Sequence, residues 1–127
     1  MVKNMRKEKV LKKEGNILTK LRRRLINELL DIIILSRIIS NPGLTGYAII
    51  EYLFRRFDIL VSSGVVYATL YALERDGLIK GVWTGRKRTY TITPKGEKVV
   101  ETLREKGEII SSLIKEIITQ KSSLLRH

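Results

Sequence analysis

Between residues 79 and 93 the chain gives up the three- and four-residue apolar spacing that governs most of the rest of it. Ile79 to Trp83 and Thr89 to Thr93 are rich in β-branched and aromatic residues, with Gly85-Arg86-Lys87 between them. This pattern predicts one β-hairpin with a basic tip. What precedes and follows a lone hairpin decides what it can belong to.

Ahead of it, Leu18, Leu21, Leu25, Leu29, Ile32 and Ile33 recur at helical steps, predicting a helix from Ile17 or Leu21 to Ile39. Ile32-Ile33-Ile34-Leu35 is apolar on nearly every side, so this helix needs burial on more than one face. Asn41-Pro42-Gly43 ends it, because the residue before proline resists the α region and glycine permits the turn. Thr45 is a good N-cap for a second helix, Gly46 to Phe57, with Ile50, Leu53, Phe54 and Phe57 as its apolar face. Ser62 or Ser63 caps a third, which stops before Gly77. Val66, Leu70 and Leu73 face its core, and Gly64, Val65, Ala68, Ala72 and Arg75 lie opposite. After the hairpin, Thr93-Pro94 opens a last helix with proline in its first turn. Val99, Val100, Leu103, Ile110, Leu113, Ile114, Ile117 and Ile118 give that helix a long apolar stripe.

Two short helices followed by a hairpin is the winged helix-turn-helix order. The expected fold is mainly α with a small β-hairpin (α+β), flanked by N- and C-terminal helices. The expected divisions are a basic arm over 1–16, a DNA-binding domain over 17–93 and a dimerisation helix over 94–127.

Composition narrows the function. A chain of 127 residues with 43% hydrophobic content suits one globular domain. It has no cysteine, and its single histidine is the terminal His127, so no catalytic triad, transition-metal site or cofactor is expected. The greasiest run, Leu29 to Ile39, is cut by Asp31 and Arg37 and falls well short of the ~20 residues a membrane span requires. No signal-peptide pattern follows the basic N-terminus, and a cytoplasmic protein is expected. The net charge is +12. It is concentrated: residues 1–24 hold ten basic and two acidic residues, and residues 80–98 hold six basic residues against Glu97 alone. Two such patches suit a polyanion, double-stranded DNA above all.

The third helix supplies a small, nearly neutral outer face that lets a helix backbone approach base edges in a major groove. Its expected DNA contacts are Ser62, Ser63, Gly64, Val65, Tyr67 and Ala68. At the hairpin tip, Arg86, Lys87 and Arg88 repel one another unless an anion lies between them, and arginine forks suit phosphate or minor groove.

Residues 29–105 resemble the PadR-type winged-helix regulators. Leu44-Thr45-Gly46-Tyr47-Ala48-Ile49 is similar to that family's second-helix opening, and Ser62 to Ile79 is similar to its recognition helix. Trp83, Gly85-Arg86-Lys87-Arg88-Thr89-Tyr90 and Thr93-Pro94-Lys95-Gly96 resemble its wing and the start of its last helix. Ser63, Ala68 and Lys87 stand where the family usually has proline. The resemblance implies a dimeric transcriptional regulator, usually a repressor, and adds Tyr47 to the DNA contacts. Some small members bind flat molecules between tryptophans of the last helix. The one tryptophan here is Trp83 on the hairpin, so that ligand site is not expected, and a small-molecule effector is left unknown.

Leu103, Ile110, Leu113, Ile114 and Ile117 have no remaining core to cover within one domain. A second copy of the chain is the expected partner, and an intrachain pairing of first and last helices is the alternative. An architectural DNA-binding protein with little sequence preference remains the runner-up function, favoured by the basic arm. A peripheral membrane protein and an enzyme rank below it.

Overall fold

Isoleucine organises the first part of the fold. The structure, a computed structural model, describes residues 16–119, so the basic arm expected over 1–16 lies outside it except for Asn16. The single first helix expected from the sequence divides into α1 (Asn16–Glu28) and α2 (Leu30–Ser40). Leu29 parts them with φ −99° and ψ 18°. The hydrogen-bond ladder nevertheless continues: the Leu29 N–H donates to the Leu25 carbonyl at 2.9 Å, and the Ile33 N–H to the Leu29 carbonyl at 3.0 Å. Burial separates the two segments. α2 sends Leu30, Ile34, Leu35 and Ile38 into the core, whereas α1 commits only Ile26. Asn41 closes α2, its amide side chain donating to the Arg37 carbonyl at 3.3 Å, and Gly43 takes the left-handed φ of +87° that the turn requires.

A strand follows that the sequence did not announce. β1 (Leu44–Thr45) pairs antiparallel with β3 (Lys87–Ile92), which also pairs with β2 (Ile79–Thr84), so the expected hairpin is a three-stranded sheet in the order β1-β3-β2. Leu44 lies opposite Tyr90, and Thr84 opposite Lys87. Only Gly85 and Arg86 remain in the turn. Gly85 has φ +65° and Arg86 stays out of the left-handed region, the pattern of a two-residue type II′ turn. Lys87, expected in the tip, belongs to the strand.

α3 (Gly46–Phe57) starts where β1 ends, with Thr45 Oγ1 accepting from the Ala48 N–H at 3.1 Å. Its buried face is Gly46, Ile49 and Leu53 rather than the expected Ile50, Leu53, Phe54 and Phe57. Ile50 and Phe57 pack at the margin, and Phe54 is 52% exposed. The anchor explains the rotation: Thr45 is held in the sheet, and Gly46 sits against the ring of Tyr67, where a Cβ would come within 2.5 Å of a ring carbon.

α4 (Ser63–Arg75) buries Val66, Leu70 and Leu73 as expected. It ends in a Schellman motif, the Leu78 N–H donating to the Leu73 carbonyl at 2.9 Å and the Gly77 N–H to the Glu74 carbonyl at 3.0 Å. Ile34, Ile38, Ile49, Leu53, Val66, Leu70, Ile79 and Val100 meet as the fully buried centre.

The last helix, expected as one, is interrupted at Lys106 before Gly107, giving α5 (Pro94–Glu105) and α6 (Gly107–Thr119). α5 belongs to the core through Val100 and Gly96. No residue of α6 is buried.

Candidate nucleic-acid interface

The exposed surface of α4 has two flanks of opposite character. Tyr67, Tyr71 and Arg75 repeat at four-residue steps and so share one face. That face looks toward the sheet, where Tyr67, Tyr71, Glu74, Arg75, Arg88 and Tyr90 line one concavity. Val65, Ala68 and Ala72 lie on the other flank, in a groove shared with Asn27, Glu28, Asp31 and Asp76. Three carboxylates there make that flank a poor neighbour for phosphates.

A second concavity joins three elements: Thr45, Gly46, Tyr47, Tyr67, Trp83, Arg86, Lys87, Arg88 and Tyr90 line it. The sequence-expected contacts Tyr47, Tyr67, Arg86, Lys87 and Arg88 are thereby brought together. Ser62, Ser63, Gly64 and Val65 are exposed at the N-terminal turn of α4. Ser62 caps that turn, its Oγ accepting from the Val65 N–H at 3.3 Å. The remaining unpaired N–H groups of the turn present the positive end of the helix dipole outward. Val65 and Ala68 are exposed, but they border the acidic groove.

The sequence-expected DNA contacts omit Tyr71, Arg75 and Trp83, and Arg75, expected on one face with Ala68 and Ala72, lies instead on the flank of Tyr67 and Tyr71. Tyr71 is 69% exposed and Trp83 67%. The signal for the first two was available, since they follow Tyr67 by four and eight residues. Trp83 was legible only as a strand residue, because its facing depends on register.

Arg88, inside β3, differs from Arg86 and Lys87. Its Nη2 donates to Glu74 Oε2 at 2.7 Å, and its guanidinium lies 5.5 Å from the Trp83 ring centroid. Tyr90 is buried beside it, and burial pushes the phenol up from its ordinary pKa while the Arg88 charge opposes that rise.

The C-terminus of α4 is also fixed. Thr93 Oγ1 donates to the Gly77 carbonyl at 2.6 Å and accepts from the Gly96 N–H at 3.1 Å. Lys95 Nζ donates to the Asp76 carbonyl at 2.8 Å. A Cβ on Gly96 would lie 2.1 Å from the Leu78 carbonyl oxygen, so only glycine allows this approach. The Thr93-Pro94-Lys95-Gly96 motif is thus a clamp on the end of α4, and it absorbs Lys95.

Among the described residues, no helix is long and apolar enough to cross a membrane. No curated protein matches the chain. Solved structures do. A transcriptional regulator from Clostridium thermocellum is 26% identical, with a TM-score of 0.65 over 73% of this chain and 93% of that one. A PadR family regulator from Eggerthella lenta shares the fold at 18% identity and a TM-score of 0.69, covering 83% of this chain and 95% of its own. A PadR-like regulator from Bacillus cereus does so at 24% identity and 0.64, over 78% and 99%. The model of the transcriptional regulator PadR-like family matches residues 34–102, from α2 through most of α5. With more than half of the chain inside that match, the protein belongs to the PadR-like family and is a winged-helix, sequence-specific DNA-binding transcriptional regulator, not an enzyme.

Proposed function

We propose that this regulator is a homodimeric repressor that places α4 in the major groove and its wing on the adjacent backbone or minor groove. One observation carries this reading. The Tyr67–Tyr71–Arg75 face of α4, Tyr47 and the wing cations Arg86 and Lys87 border two concavities that share Tyr67, Arg88 and Tyr90 as common lining. Aromatic edges among cations suit sugar, phosphate and base edges together. Ser62, Ser63, Gly64 and Tyr67 contact DNA first, and Val65 follows from the border of the acidic groove. Ala68 lies at the acidic margin, and Tyr71 and Arg75 extend the reading face one and two turns further.

Residues 17–93, completed by the start of α5, carry DNA binding, and 94–127 carry dimerisation through Leu103, Ile110, Leu113, Ile114 and Ile117. Two copies then present two α4 helices to a palindrome. A small dimer seated on a promoter acts by occlusion, which makes repression the natural outcome. Its place is with the chromosome, in the cytoplasm.

The test compares two variants on a duplex selected from a random pool by the wild-type protein and on a scrambled duplex. Arg86→Ala with Lys87→Ala weakens binding to both and flattens the log–log salt dependence by up to about two units. Tyr71→Ala lowers the ratio of specific to non-specific affinity by about fivefold or more, the equivalent of one base contact. If both variants reduce the two affinities equally, the helix reads no bases and the protein is an architectural binder.

A further inference from the structure

We infer that Glu74 sets the sequence discrimination of this regulator by withholding Arg88 from the DNA backbone. The inference rests on the wing and α4 forming the DNA face. A single carboxylate oxygen, Glu74 Oε2, accepts from Arg88 Nη2 at 2.7 Å and from the Gly81 N–H at 3.3 Å. It therefore ties α4 to both strands of the wing. The Arg88 side chain reaches it by lying flat over Gly81, where an added Cβ would stand 2.7 Å from Arg88 Nε. Trp83, paired with Arg88 in register, covers the guanidinium from 5.5 Å. Both members of the pair have about one-third of their side chains exposed, 32% and 31%. The contact is thus partly shielded from the screening that makes fully exposed pairs weak.

Consequences for binding follow from charge. A free arginine at this position would meet a phosphate on any sequence and raise affinity everywhere. Held by Glu74, it adds no such indiscriminate contact, and it fixes the wing relative to the helix that reads bases. Arg86 and Lys87 remain as the backbone contacts of the wing. Glu74 and Arg88 are therefore positioning residues, acting on recognition through the geometry between two elements.

The experiment is a double-mutant cycle on DNA binding, read as salt slope and as the specific to non-specific ratio on the selected and scrambled duplexes. Glu74→Gln keeps the side-chain size and releases Arg88. It should steepen the log–log salt slope by about 0.9, one phosphate contact. It should also lower the specific to non-specific ratio about fivefold or more. In the Arg88→Ala background the same substitution should leave the slope unchanged. Gly81→Ala displaces the guanidinium without removing either charge and should reproduce the Glu74→Gln slope, which keeps the test open if Glu74→Gln fails to fold. Equal effects of Glu74→Gln with and without Arg88, or an unmoved slope in both Glu74→Gln and Gly81→Ala, overturn the inference. The Arg86→Ala, Lys87→Ala variant separates the two levels: if it binds as wild type, the DNA face itself is misplaced. If it weakens while the cycle is additive, only the role of Glu74 fails.

Discussion

Leu113→Ala and Leu113→Asp test how α6 is covered. α6 leaves every one of its residues unburied, and Ile110, Leu113 and Ile117 project along one face at three- and four-residue steps. Removing a whole leucine or isoleucine side chain from water contributes about 1.5–3 kcal/mol. Leu113 is 51% exposed, so seating it against a partner recovers about 1 kcal/mol. A two-fold interface counts that twice, so truncation to alanine costs about 2 kcal/mol and weakens the dimer about 30-fold. Aspartate adds an unpaired carboxylate to each half of the seam, bringing the loss to about 4 kcal/mol or more, roughly a thousandfold. Sedimentation equilibrium over a dilution series reads both constants against the 14.6 kDa chain mass. Leu113 is half exposed and lies outside the buried core cluster, so the circular dichroism spectrum of each variant should match that of wild type. A wild-type protein that is monomeric at micromolar concentration would refute the reasoning. So would a Leu113→Asp variant that dimerises as tightly as the parent, because the stripe would then be covered some other way.

Two further outcomes are expected. Deleting residues 1–15, which carry six Lys and Arg, should flatten the salt dependence of DNA binding by several units, up to about five, while the preferred sequence stays the same; an unchanged slope rules out phosphate contact by the arm. Thr93→Val keeps the shape of the side chain but loses the hydrogen bonds to the Gly96 N–H and the Gly77 carbonyl, and urea denaturation should report a loss of about 1–3 kcal/mol.

Much of the fold could be read from local chemistry. Apolar spacing and single capping residues placed α3 and α4 nearly to the residue, since Thr45, Ser62 and Gly77 perform the capping their types favour. The shift to β-branched residues marked β2 and β3. The basic tip and the order of elements pointed to a winged helix, and the family match bears that out. The interruptions at Leu29 and Lys106 were not visible, because an apolar stripe can run on through a helix break.

Relations between elements were decided elsewhere. β1 is two residues long, too short to show any period, and exists only because β3 offers it a free edge. The rotation of α3 followed from Gly46 meeting Tyr67, a contact between residues that no spacing rule connects. Sequence spacing does not show what each flank of α4 faces. Only packing puts Glu28 and Asp31 beside Ala68, and Trp83 and the wing cations beside Tyr67. Arg86 and Arg88 sit two apart and read as equivalent, but Glu74, fourteen residues from Arg88, claims one of them. Sequence by itself determined what each segment is, because propensity, capping and periodicity act within a few residues. Tertiary structure alone decided which wing cation is held in an ion pair, because that depends on charges brought together from distant parts of the chain.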